Sequence, residues 1–439
     1  MEPTVEPTAS PEAVIVGAGL AGPLLASLIA RRGHRVDLVE GRPDPRATRH
    51  HGGRSINLGM SARAIAALRE VGLWEEARRL SVPMRGRMVH TAGGRSSVHP
   101  YGKDPSQILH SISREALARL LVEHAEKQPG VRLRFDSRCV AVDRDRARVT
   151  LADGDELAAD FVVGADGASS IVRTEMQRGL PAAFSREYLE WGYKEITIHP
   201  LSDGAPAVPL EALHIWPGER GLGVAHPNID NSLTCTLFLP RDEPPDPVSE
   251  AFPHLAELVP DLDEQADAAP MSHLTTVRTA PWHHRDKAVL VGDAAHAVYP
   301  FYGQGMNASF EDCLVLDGML ARHPHDREAA FAAYERARKP HTDVLAELSA
   351  QNFLELRDGM RSPVRLARKR LDLLLHKAFP GTWVPLYTLV SHTTVPYGEA
   401  LRRARRQDRV AAALAATGAG LGIAGLLAAL GRRHRRNPR

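Results

Sequence analysis

Three segments, far apart in the chain, combine glycines with a carboxylate at the end of an apolar run, the residue types suited to a ligand rich in phosphate and hydroxyl groups. The first is Gly17-Ala18-Gly19-Leu20-Ala21-Gly22. In such a turn Gly17 permits the tight bend, Gly19 lets backbone approach a pyrophosphate, and Gly22 lets a following helix pack closely on a strand. Glu40 closes the next apolar run; a carboxylate there accepts both ribose hydroxyls and disfavours a 2′-phosphate. The second segment is Gly164-Ala165-Asp166-Gly167, followed by Arg173, a candidate partner for a pyrophosphate. In the third, Val289, Leu290 and Val291 run into Gly292-Asp293, and Pro300 precedes the turn Gly303-Gln304-Gly305-Met306-Asn307. Asp293 suits the hydroxyls of a ribityl chain, and backbone N–H groups at 303–307 suit a ring edge that gathers negative charge on reduction. His296, inside this stretch, reads as a structural histidine rather than a base.

These residues need a sheet to bring them together. Residues 13–17 read as a buried strand, 20–32 as a helix and 35–40 as a second strand, a βαβ unit that implies a parallel sheet. Helical periodicity covers 61–80 (Ile65, Leu68, Val71, Leu80) and 115–127; short strands follow near 131–135, 138–143, 147–151 and 160–164. From 185 to 275 the texture changes to alternating stretches, the pattern of an antiparallel sheet with one covered face. Buried parallel character returns at 288–292, and beyond 305 the pattern is helical to about 408, broken by Pro340, Pro363, Pro380 and Pro385. The expected fold is therefore α/β: a Rossmann-type FAD-binding domain (13–82, 103–184 and 276–330) interleaved with an antiparallel-sheet substrate domain (83–102 and 185–275). A C-terminal helical region (331–408) follows. Three such motifs in one chain point to a single bound flavin.

Composition sets outer limits. A chain of 439 residues, 43% apolar and 25% charged, is long enough to bury a large core. A formal net charge of +2 gives no reason to expect nucleic acid as a partner. Cys139, Cys235 and Cys313 are widely spaced, which argues against a disulfide framework or a metal site and fits a reducing, cytoplasmic setting. Residues 1–12 read as a disordered, Pro-rich lead-in rather than a signal peptide. Within 409–439, the uncharged run 410–430 lies between Arg402, Arg403, Arg405, Arg406 and Arg432, Arg433, Arg435, Arg436, and contains a Gly418/Gly422 pair. That run has the length of a bilayer-spanning helix and suits membrane contact, although its Ala and Gly content makes its transfer energy marginal.

The ordered trio of motifs resembles the FAD-dependent aromatic hydroxylases of the para-hydroxybenzoate hydroxylase type. Further stretches are similar to the kynurenine 3-monooxygenase branch of that family: GRSINL (53–58), PMRGRMVH (83–90), SISREAL (111–117), LHIWP (213–217), TCTLF (234–238), PFYGQGMNASFEDC (300–313) and PLYTLV (385–390). The resemblance implies non-covalent FAD, NADPH that binds transiently without a second Rossmann domain, O2 as co-substrate, and hydroxylation of kynurenine at ring position 3. It places Gly17, Gly19, Leu20, Gly22, Glu40, Arg54, Arg114, Asp166, Gly167, Asp293, Gly303, Gly305, Met306 and Asn307 beside FAD.

For the substrate, the resemblance marks Arg87, Tyr101, Asn352 and Tyr387 as polar positions. Pro300 and Phe301 would wall the pocket beside the flavin, and Leu213, Val224 and Phe238 would form its apolar face. Arg87 suits an amino-acid carboxylate because a guanidinium fork binds both oxygens. Two residues depart from the branch: Tyr302 stands where Phe or His is common, and His226 stands in AHPN (225–228) where an apolar residue is expected. They keep open a related flavin hydroxylase acting on a substituted kynurenine or another arylamine or aromatic acid. A flavoprotein that oxidises or reduces without inserting oxygen is the alternative from another class. The flavin carries the chemistry, so no side chain is assigned as catalytic.

Overall fold

The computed structural model describes residues 11–47, 56–91, 93–102, 104, 107–179, 181, 183–218, 220–358, 375, 376, 379 and 382–413. At its centre the fully buried strand Ala13–Val16 pairs in parallel with Val36–Val39 on one side and Phe161–Gly164 on the other. Val131–Arg134 extends the sheet beyond Val36–Val39, and Ala288–Leu290 extends it beyond Phe161–Gly164. A short antiparallel strand, His283–His284, completes the six-stranded order. Continuous Val, Ile and Leu fits a sheet covered on both faces.

The chain leaves Ala13–Val16 through the helix Ala21–Ala30 toward Val36–Val39, then returns to the opposite side of Ala13–Val16 at Phe161. The strand order therefore reverses beside Ala13–Val16. Ligands of open parallel sheets bind outside the carboxyl ends of the strands at such a reversal. The three Gly-containing segments follow the carboxyl ends of three adjacent strands, which is why sequence distance does not separate them in space.

The second large sheet has seven strands, in the order Ser272–Ala280, Ala183–Ile198, Leu233–Pro240, Leu222–Pro227, Ala212–Pro217, Gly86–His90 and Ser96–Pro100. All its pairings are antiparallel except that of Gly86–His90 with Ala212–Pro217. A small sheet of Asn57–Met60, Leu109–Ser113 and Ser81–Met84 stands beside it. One face of the seven-stranded sheet carries apolar side chains such as Cys235, Leu237 and Leu239 into a core with Phe252, Leu255 and Leu262. Its other face turns toward the cofactor sheet and the C-terminal helices.

Two elements differ from the sequence reading. The periodic stretch 61–80 is two helices, Ala62–Glu70 and Trp74–Arg79, separated at Gly72, whose φ of 79° ends the first. Pro340 does not break its helix; it lies inside Arg327–Asp358. A proline there removes one backbone hydrogen bond, and burial of Phe331, Tyr334, Leu345 and Leu348 along the same helix outweighs that loss. Among the described residues no helix is long and apolar enough to cross a membrane. Arg54, Pro363, Pro380, most of the lead-in and residues 414–439 of the tail lie outside the described residues.

Candidate active site

The two sheets and the C-terminal helices enclose a cavity of about 420 Å³ that reaches from the Gly-rich turns to the seven-stranded sheet. At its cofactor end the glycines divide by role. A Cβ on Gly22 would stand 1.9 Å from the Gly17 carbonyl oxygen, and one on Gly17 (φ 106°) would stand 2.5 Å from the Ala165 oxygen. Those two allow helix and turns to close on each other. A Cβ on Gly19 would meet nothing within 4 Å; Gly19, Leu20 and Ala21 line the cavity. The N-terminus of Ala21–Ala30 has no capping side chain, and neither has that of Gly305–Arg322. Two helix ends thus offer N–H groups and positive dipole ends to an anion.

Glu40 accepts a hydrogen bond from the Ala18 N–H at 2.9 Å and pairs with Arg42 at 2.9 Å. Burial opposes its charge, but Arg42 and the backbone N–H groups outweigh burial and hold its carboxyl below the usual range. Asp293 lines the cavity, with its side chain exposed to it. Burial pushes its pKa up, while His296 and Arg114 pull it back. Arg114 also lines the cavity; Glu115, its sequence neighbour, pairs instead with Arg119 at 2.7 Å. Gly167, Gly303, Gly305 and Met306 complete this end. Open backbone at Gly19, two uncapped helix ends and a carboxylate facing the cavity fit the pyrophosphate, ring edge and ribityl chain of FAD.

Several candidates point elsewhere. The Asp166 carboxylate accepts from the Ser170 hydroxyl at 2.5 Å and from the N–H groups of Ile171 and Val172 at 2.7 and 3.2 Å. It caps the helix Ile171–Gln177 and does not line the cavity. Asn307 is fully buried; its oxygen accepts from the Ser61 N–H at 2.8 Å, and its amide donates to the carbonyls of Gly59 and Gly303, each at 2.9 Å. It fastens the 303–307 turn to the neighbouring strand. Arg173 donates to the carbonyls of Ala168 and Ala294, each at 2.7 Å, and so ties the second segment to the third. His296 donates to the buried Asp312 carboxylate at 2.5 Å, which also receives Arg338 at 2.7 Å.

At the substrate end Arg87 sits on the strand Gly86–His90 with its guanidinium 4.1 Å from the centre of the Tyr387 ring and 5.9 Å from that of Tyr101. Burial opposes its charge, and the oxygens of Tyr387, Tyr101 and Tyr302 act against that effect of burial. Among the described residues its Nε has no hydrogen-bond partner and no carboxylate pairs with it. The Tyr101 hydroxyl lies near Arg87 and Tyr387 but meets neither with hydrogen-bond geometry. Beyond this polar end the wall is Leu213, Val224, Phe238, Pro300 and Phe301, with the Phe301 ring 4.9 Å from Phe238 and 4.6 Å from Phe353.

Asn352 is not on the wall. Its amide donates to the Phe301 carbonyl at 2.7 Å and holds the 300–302 turn. Tyr302 lines the cavity, 5.8 Å from Tyr387, and burial first, then Tyr387, raises its pKa, so it stays a neutral phenol. His226 also faces inward, and burial lowers its pKa to about 4. The sequence reading had not singled out Ile215, Thr236 and Tyr193, which also line the cavity. Each stands two residues from a wall position or directly across from one, so strand alternation carried the signal.

A family model described as an FAD binding domain matches residues 11–349. The kynurenine 3-monooxygenase of Salinispora arenicola is 52% identical, covering 96% of this chain and 97% of its own length. That of Myxococcus xanthus is 41% identical, covering 91% and 90%. This chain belongs to the kynurenine 3-monooxygenase family. The family's wider fold recurs in 2-methyl-3-hydroxypyridine-5-carboxylic acid oxygenase, with a TM-score of 0.68 at 22% identity over 82% of this chain and 95% of that one. It recurs again in Pseudomonas aeruginosa PqsL, solved with 2-aminobenzoylacetate, at a TM-score of 0.62 and 26% identity over 80% and 98%. As a member of the kynurenine 3-monooxygenase family the chain is an FAD-dependent monooxygenase that takes NADPH and O2 as co-substrates. The non-hydroxylating alternative is thereby set aside.

Proposed function

We propose that this enzyme hydroxylates L-kynurenine at ring position 3, with the amino-acid carboxylate held by Arg87. The observation that carries the reading is an arginine deep in an apolar cavity with an unpartnered Nε and no carboxylate of its own among the described residues. A buried cation without a counter-ion is unfavourable unless a ligand supplies one. The Tyr101 and Tyr387 hydroxyls add donors beside it, and a ring lying along Leu213, Val224, Phe238 and Phe301 would be kept dry. PqsL, with its 2-aminobenzoylacetate, binds a carboxylate joined to the same aminobenzoyl ring.

Bound FAD, reduced by NADPH, supplies the activated oxygen. The chain's part is to bind, orient and exclude water. Gly19, the helix ends at Ala21 and Gly305, Arg114 and Asp293 would hold the cofactor. Glu40 keeps the 17–22 turn in place through Ala18. Gly17, Gly22, Asp166, Arg173 and Asn307 act at one remove, by fixing the turns. Asn352 acts as a positioning residue through the Phe301 carbonyl.

The test is oxygen uptake and product mass with L-kynurenine, NADPH and the purified protein. One hydroxylated product per NADPH supports the reading; NADPH consumption with no hydroxylated product overturns it. A second reading, a substituted kynurenine or another arylamine, draws support from His226 and Tyr302 on the wall, and the same assay run with a panel of arylamines ranks the two. We also propose that residues 410–430 contact membrane. Deleting the chain after residue 409 would then move the enzyme out of the membrane fraction, and a full-length enzyme found wholly in the supernatant would overturn that.

A further inference from the structure

Strand register arranges the cavity face of the large sheet in rows. Leu213 pairs with Arg87, and His214 with Ala225, so that Leu213 and His226 stand opposite one another one step along these antiparallel strands. Arg87, Leu213 and His226 therefore share a row. At a strand spacing of about 4.8 Å, His226 stands two strands, roughly 10 Å, from Arg87. A molecule whose carboxylate sits on Arg87 lies over Leu213 and presents its far end to His226.

His226 makes no hydrogen bond to any described residue; Thr234 stands directly across from it on the next strand, and its neighbours on the wall are Leu213, Val224 and Thr236. The imidazole is neutral there, with one donor and one acceptor nitrogen. A half-buried imidazole on such a wall gains a hydrogen bond when a ligand pairs with it.

We propose that His226 is a specificity-determining residue whose imidazole nitrogen accepts a hydrogen bond from the aromatic amine of the substrate, so that the site selects aminobenzoyl amino acids over their plain benzoyl counterparts. The assignment rests on the reading of Arg87 as the carboxylate clamp, which fixes the direction of the ligand. A hydrogen bond donated by the amine leaves its lone pair free to feed the ring. As oxygen adds at the ortho carbon, positive charge grows on that nitrogen and its N–H becomes more acidic. The bond then strengthens toward the transition state and favours turnover as well as binding.

The experiment compares L-kynurenine with the analogue carrying hydrogen in place of the ring amine, in wild type, His226→Leu and His226→Gln. Dissociation constants come from the absorbance change of the bound flavin, and kcat from product formed. His226→Leu should weaken kynurenine roughly tenfold and lower its kcat, while the analogue's Kd stays within about twofold of wild type. His226→Gln, whose amide oxygen is also an acceptor, should recover most of the loss. Equal changes for both ligands in His226→Leu would mean a structural role and overturn the proposal; so would no change for either. A wild-type enzyme that binds neither ligand would overturn the kynurenine reading itself, an outcome visible before any variant is made.

Discussion

Replacing Arg87 with Met should weaken kynurenine binding and strengthen the empty fold at the same time. In the ligand complex, removing the guanidinium leaves a carboxylate buried in an apolar cavity without its partner. Breaking a buried pair in this way costs about 3–5 kcal/mol, which is roughly 10²- to 5 × 10³-fold in Kd. In the free enzyme the signs reverse. The guanidinium gains about 2 kcal/mol from the Tyr387 ring 4.1 Å away, yet dehydration of an unpaired cation costs several kcal/mol. A methionine of similar length removes both terms, for a net gain of about 1–2 kcal/mol. Kd is read from the absorbance of bound flavin, and stability from thermal unfolding of the ligand-free holoenzyme. The flavin spectrum itself should not change, because Arg87 belongs to the far end of the cavity from Gly19 and Asp293. Unchanged kynurenine affinity would refute the clamp. Weaker binding together with a large loss of stability would show Arg87 to be a structural strut instead.

Two glycines of one turn should behave differently. Gly22→Ala forces a Cβ within 1.9 Å of the Gly17 oxygen and should yield little folded protein, whereas Gly19→Ala should fold and lose FAD affinity, as measured by flavin fluorescence on dilution. Equal folding yields would refute the division of roles. Asp312→Asn removes the charge that Arg338 and His296 share and weakens the acceptor of the Gly292 N–H at 3.0 Å; it should destabilise the protein by about 3–5 kcal/mol, read as a lower urea midpoint with earlier FAD release. Acid should weaken the fold well before carboxylates protonate. His90, buried and bonded to His214 at 2.8 Å, has its pKa lowered to about 4 by burial, then by His214 and His254; His392 is lowered to about 4 by burial, then by Arg87. From pH 6.5 down to 4 the unfolded chain takes up protons at these sites and the fold does not, so stability falls as pH falls, by up to about 3 kcal/mol per histidine. Urea midpoints that stay flat between pH 6.5 and 5 would refute it.

Motifs whose work is done by backbone were legible from residue type alone. Gly17, Gly22 and Gly303 appear where φ or close approach excludes other residues, and that requirement is local. The strands were legible for the same reason, since burial on both faces requires an unbroken apolar run. Polar side chains were less legible. Asp166, Arg173, Asn307 and Asn352 carry the groups a ligand site needs, but each found a partner in the chain itself: a helix end, a carbonyl or a turn. Residue type states what a side chain can bond, not which of several partners comes within reach.

The sequence by itself determined that three strands end in turns able to approach a dinucleotide closely, because glycine and strand patterns act over a few residues; that the three are adjacent came from the sheet order. Only the tertiary structure decided which polar groups reach the cavity. His226 faces inward because its strand pairs with Leu233–Pro240 in one register; a slip of one residue would turn it to the other face. Arg87 is left without a carboxylate among the described residues because no acidic residue of the described elements around it pairs with it. Both are outcomes of long-range packing, and both bear directly on which substrate the cavity accepts.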